Sequence, residues 1–145
     1  MSRIYWDTML FVYWLEDTPG FSDQVASIYS SMVERGDVLC ASPLSLAELL
    51  VAPRKRGDLE LETKIISFFE SGSIRLVPFD MAAAKRFAVI RAAGKVSPPD
   101  AIHLACASVA GVDLFLTNDA AIRKLNVPGI HFIDGLQTSV LKHDA

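Results

Sequence analysis

Five short β-prone runs, at residues 4–6, 38–40, 74–77, 113–116 and 130–133, are separated by stretches with helical spacing or helix punctuation. A strand followed by a helix cannot close a tight hairpin, so it returns beside its neighbour in parallel. The pattern predicts an α/β fold, a three-layer α/β/α arrangement with a mostly parallel central sheet of about five strands. The expected helices span residues 10–15, 24–35, 42–52, 59–69, 80–92 and 97–110, with a short last one from Thr117-Asn118-Asp119 to Leu125. Ser42-Pro43 reads as a cap followed by a first-turn proline. Pro53 is expected to stop that helix and leave Arg54-Lys55-Arg56-Gly57 as a basic loop. With 145 residues, 51% of them hydrophobic, the chain suits a single domain over 1–145 with a sizeable core.

The formal net charge is -3, from 14 Lys+Arg against 17 Asp+Glu. That argues against a tail-type basic nucleic-acid binder but leaves room for a nuclease with local basic stretches. The uncharged stretch between Asp100 and Asp113 is too short to span a bilayer, so no membrane association is expected. The N-terminus has Asp7 where a secretory segment would be apolar. Cys40 and Cys106 sit in apolar surroundings and read as reduced core residues, which makes the expected location cytoplasmic.

The acids carry the functional signal. Asp7 ends the first strand, and Asp119 follows the fourth by three residues in LFLTNDA. In a parallel sheet both fall at the same edge, where open α/β sheets form their sites. Glu48 lies on the helix after strand two, and Asp100 in the first turn of the helix before strand four. Packed carboxylates repel unless a cation sits among them, and an all-oxygen set favours Mg²⁺ or Mn²⁺ over Zn²⁺. Waters kept by such an ion can attack a phosphodiester. Thr8, Thr117 and Asn118 are placed to orient a carboxylate or that water.

Structural readings stand beside these. Ser97-x-x-Asp100 matches a capping box, Asp119 can cap the last helix, and Glu48 can face solvent. Asp7 has the least structural duty, since nothing in the strand calls for an acid at its end. His103 lies one turn beyond Asp100 and shares its face, as a supporting or structural residue. His131 and His143 lack ligand spacing to it, which argues against a zinc site.

Taken in order, YWDTMLFVYWLE, ASPLSLAELL, PPDAIHLACASVAGVDLFLTND and IHFID resemble a PIN-domain ribonuclease, most closely the VapC-like toxin of a VapBC-type toxin–antitoxin pair. The resemblance covers nearly the whole chain. It implies Asp7, Glu48, Asp100 and Asp119 as the catalytic and metal-holding acids, with Thr117 as an accompanying hydroxyl. It implies Mg²⁺- or Mn²⁺-dependent cleavage of RNA to 5′-phosphate and 3′-hydroxyl ends, a homodimer, and an antitoxin partner. One position departs: relatives often carry Asn or Ser two residues after the first aspartate, where this chain has Met9.

RNA needs positive charge near an acidic pocket. Arg54, Lys55 and Arg56 are candidates, with Lys85 and Arg86 more ambiguous against an ordinary solvated face. Phe11, Tyr13 and Trp14 crowd one short helix and are assigned mostly to the core. The rival reading is a catalytically weak or inactive PIN-like or receiver-like interaction module. A receiver needs an acidic pair after strand one, and only Asp7 is there. An aspartyl phosphatase needs a second acid at the position of Met9.

Overall fold

The computed structural model describes residues 1–138 and 141. The sheet contains β1 (Arg3–Trp6), β2 (Val38–Ala41), β3 (Ile74–Leu76), β4 (Leu114–Leu116) and β5 (Phe132–Asp134), in the order β3-β2-β1-β4-β5. All the pairings are parallel. The helices are α1 (Thr8–Leu15), α2 (Ser22–Arg35), α3 (Pro43–Arg56), α4 (Leu59–Glu70), α5 (Met81–Ala93), α6 (Pro98–Ala110) and α7 (Ala120–Arg123).

Strand periodicity divides the core in two. Ile4 and Trp6 point to one face with Leu39, Ala41, Leu114 and Leu116, and pack under α1, α2, α3 and α4. Tyr5, Cys40 and Phe115 point to the other face, beneath α5 and α6. Tyr5 pairs in register with both Cys40 and Phe115, and its ring stacks on Phe115 at 5.2 Å. The α/β/α expectation therefore holds, with both faces of a parallel sheet covered.

The aromatic residues of α1 join the first core. Phe11 and Tyr13 are buried, and Trp14 packs on Tyr29 at 4.6 Å and edge-on to Phe68 at 5.2 Å. Both cysteines are free and buried on the second face. Burial pushes the Cys106 thiol up to about 11, as expected of an inert core residue. No helix among the described residues is long and apolar enough to cross a membrane.

One sequence expectation is corrected. Pro53 does not end α3 but lies inside it, and Arg54, Lys55 and Arg56 form the last helical turn rather than a loop. Proline costs the helix one amide donor, but the turn closes beyond it. Gly57 adopts φ 66, and Asp58 N–H donates to the Pro53 carbonyl at 2.9 Å. The basic side chains thereby sit at the negative end of the helix dipole.

The chain runs from β1 outward through β2 to β3, then returns to the other side of β1 with β4. This reversal between β1 and β4 opens a crevice at their carboxyl ends. Asp7 leaves β1 there, its N–H held by the Leu116 carbonyl at 2.9 Å.

Candidate functional site

A cavity of about 480 Å³ opens at that edge, lined by Asp7, Thr8, Met9, Val12, Tyr13, Glu48, Asp100, Asn118 and Asp119. Each carboxylate arrives from a different element: the end of β1, the second turn of α3, the first turn of α6, and the residue before α7. The four acids singled out in the sequence are therefore brought to one opening. No Lys or Arg lines it among the described residues.

Each acid is anchored by its surroundings. Thr117 Oγ1 donates to Asp7 Oδ2 at 2.7 Å, while the same hydroxyl oxygen accepts from Asp119 N–H at 3.1 Å. Thr8 Oγ1 donates to Glu48 Oε1 at 2.6 Å. His103 Nε2 stands 2.7 Å from that same oxygen. Ser97 Oγ donates to Asp100 Oδ2 at 2.8 Å and accepts from Asp100 N–H at 3.4 Å, so Ser97 caps α6 while the Asp100 carboxylate bonds the Ser97 hydroxyl instead of closing the reciprocal half of a capping box. Asp119 Oδ1 accepts from the N–H groups of Ala121 and Ile122, capping α7. Capping and lining the cavity coexist, because a carboxylate has two oxygens.

The electrostatics of Asp7 and Glu48 diverge. Burial raises the proton affinity of Asp7, the Thr117 hydrogen bond and nearby His103 oppose the rise, and the charge of Asp100 adds to it. Glu48 is shifted downward, chiefly by its hydrogen bond to His103, against a smaller effect of burial. Among the described residues, no group of three His, Cys, Asp or Glu side chains is close enough to hold one metal ion. His143 lies outside the described residues, and His131 is at the start of β5, away from the cavity.

The supporting residues are placed unevenly. Thr8 and Thr117 contact acids. Asn118 lines the cavity but donates to the Tyr13 hydroxyl at 3.2 Å rather than to a carboxylate. Met9 is 44% exposed on the cavity wall, so the substituted position does face the site. Tyr5, beneath the site with its hydroxyl 2.6 Å from His103 Nδ1, was missed in the sequence. Its signal was strand alternation: with Ile4 and Trp6 on one face, Tyr5 must face α6.

The basic candidates stand off the cavity. Arg54 pairs with Glu62 at 3.0 Å, and Arg56 lies 3.7 Å from Glu16 and 3.8 Å from Asp58. Lys55 and Lys85 are exposed. Arg86 bonds Ser108 Oγ and the Pro128 carbonyl, which holds its guanidinium at the opposite edge of the sheet, where β5 is about to begin.

Solved structures with this architecture include VapBC2 from Rickettsia felis bound to a DNA fragment from its promoter, with a TM-score of 0.74 and 14% identity over 92% of this chain and 98% of that one. A toxin–antitoxin complex from Klebsiella pneumoniae gives 0.62 and 17%, over 88% of this chain and 94% of that one. VapBC-5 from Mycobacterium tuberculosis gives 0.60 and 18%, over 92% and 99%. At these identities the likeness concerns the fold. No curated protein matches the chain. The PIN domain profile matches residues 4–128, a span holding β1 through α7 and every carboxylate of the cavity, and the chain belongs to the PIN-domain family.

Proposed function

We propose that this chain is a Mg²⁺- or Mn²⁺-dependent endoribonuclease, the toxin of a toxin–antitoxin pair. The observation that carries the reading is the gathering of Asp7, Glu48, Asp100 and Asp119 around one cavity at the strand-order reversal. Burial, with a smaller push from the charge of Asp100, raises the proton affinity of Asp7, a cost that a cation would relieve, and the carboxylate donors are all oxygen. The donor set thus fits a hard divalent ion. Mg²⁺ ordinarily takes few direct protein ligands and keeps waters, which suits carboxylates arranged around an open cavity.

A bound divalent ion supplies Lewis acidity and an activated water. The chain's own contribution is orientation. Thr117 and Thr8 hold Asp7 and Glu48, while Ser97 and the α7 amides hold Asp100 and Asp119. In hydrolysis to the ends expected of this family, water oxygen bonds to phosphorus. The bond from phosphorus to the 3′ oxygen breaks, and the leaving oxygen takes a proton to become the 3′-hydroxyl. Met9, Val12 and Tyr13 give the cavity an apolar wall against which a nucleotide can rest. Lys55, with Arg54 and Arg56, lies about 9–12 Å along α3 from Glu48 and is a basic group that could steer phosphates. Lys85 and Arg86 are weaker candidates, Arg86 being engaged at the far edge. The solved likenesses support the second half of the reading, since those proteins belong to toxin–antitoxin systems. An antitoxin partner is in keeping with that comparison, while the expected homodimer rests on the sequence resemblance alone.

The test is cleavage of single-stranded RNA with Mg²⁺ or Mn²⁺ by the wild type, Asp7→Asn and Asp100→Asn. Each substitution is expected to slow cleavage by on the order of 100-fold or more. Equal rates in all three overturn the mechanism. Growth arrest on expression, relieved by the product of a neighbouring gene, tests the toxin assignment separately.

A further inference from the structure

We propose that His103 is a positioning residue that determines which oxygen of Glu48 is presented to the cavity, and that Tyr5 sets the tautomer of His103. The inference rests on the metal-dependent reading above and deepens it.

His103 is 2% exposed and Tyr5 is fully buried, so neither can trade these contacts for water. The Tyr5 hydroxyl lies 2.6 Å from His103 Nδ1, and His103 Nε2 lies 2.7 Å from Glu48 Oε1. Thr8 Oγ1 reaches the same Oε1 at 2.6 Å and stands 3.2 Å from Nε2. Counting donors orders the chain. An ionised carboxylate only accepts, so Nε2 must carry the hydrogen. The Thr8 hydrogen is committed to Glu48, so Thr8 can only accept from Nε2. Two arrangements fill the 2.6 Å contact at Nδ1, and the one proposed is the ring with its hydrogen on Nε2 alone, so that Nδ1 accepts from the Tyr5 O–H. Every hydrogen then points the same way, from β1 through α6 to α3.

Two donors from two elements meet at Oε1, and Oε2 takes part in none of these bonds. The side chain of Glu48 has several rotatable bonds, and a single contact would let its two oxygens exchange. Two contacts on one oxygen, one of them from a rigid ring buried beneath the site, fix the carboxylate plane. Oε2 is thereby the oxygen left for the cavity. A histidine that was only filling the core would need no such convergence.

The test uses the intact protein without RNA. Mn²⁺ affinity is measured by titration for the wild type, His103→Phe, His103→Gln and Tyr5→Phe, with circular dichroism melts for each. ¹⁵N spectra of the imidazole are recorded at neutral pH without metal. Wild type is expected to show the hydrogen on Nε2 and none on Nδ1. His103→Phe is expected to lose on the order of 10–100-fold in Mn²⁺ affinity. His103→Gln, whose amide can donate to Oε1, is expected to recover part of that loss whatever its melting temperature. Tyr5→Phe is expected to mix the tautomers and weaken Mn²⁺ less than His103→Phe does. A folded His103→Phe that binds Mn²⁺ like wild type overturns the positioning role alone. If that variant does not fold, His103→Asn replaces it, whose shorter amide stays polar but stops short of Oε1, and His103→Asn binding Mn²⁺ like wild type overturns the role. A proton on Nδ1 in the wild type overturns the role of Tyr5, and a wild type that binds no Mn²⁺ overturns this inference together with the reading beneath it.

Discussion

Asp7 and Glu48 face the same cavity, yet the fold moves their proton affinities in opposite directions. Asp7 has a folded value raised mainly by burial. Its contribution to stability is therefore fully present below the ordinary carboxylate range and lost as pH rises through the raised value. Asp7→Asn, neutral at every pH, is expected to melt higher than wild type at pH 7 in EDTA, with the gap closing as pH falls toward 3. Thermal scans across that range check it, and a gap independent of pH contradicts it. Glu48 has a lowered value, so its contribution is present above the ordinary range and lost as pH falls through the depressed one. Glu48→Gln should be the less stable partner at neutral pH and level with wild type in acid. Its partial exposure keeps that difference small. Thr117 is fully buried and serves Asp7 and the Asp119 amide at once. Thr117→Val leaves both without that partner, and urea unfolding is expected to register a loss of about 1–3 kcal/mol.

At the scale of elements, what the sequence made legible follows from what local chemistry controls. Strand ends were readable because period-two burial and turn residues bracket them, and that placed Asp7 and Asp119 at a common edge. The run of α3 through Pro53 was not readable. A proline's local preference for ending a helix is overridden when its ring is buried in the fold, as Pro53 is. The contact of His103 with Glu48 was also out of reach, since helical spacing relates His103 only to neighbours on α6 and the two are 55 positions apart. The turn into β5 is a further case where backbone geometry decides. Gly129 has φ 95, and a Cβ there would stand 2.5 Å from the Ser108 carbonyl oxygen. Gly129→Ala combines left-handed strain with a clash against α6 backbone. It is expected to cost at least about 1–3 kcal/mol in urea unfolding, with the cavity residues themselves untouched.

For the whole molecule, a ligand that binds only the folded form raises its stability. Mn²⁺ at about 100 times its dissociation constant should add about 2.7 kcal/mol, seen as a higher melting temperature that EDTA reverses. Asp100→Asn is expected to lose most of that increment while melting close to wild type in EDTA. The same increment in both proteins would place any bound ion elsewhere.

The strand order has a consequence for how the protein is made. β4 is inserted beside β1, so Asp119 reaches Asp7 only after the chain has travelled out through β3 and returned. During synthesis, a nascent chain ending anywhere before that return carries at most part of the acidic set, and the crevice between β1 and β4 does not exist. Under the ribonuclease reading proposed above, products of premature termination, or chains paused on the ribosome, would lack the complete acidic set, and competence would arrive in one late step.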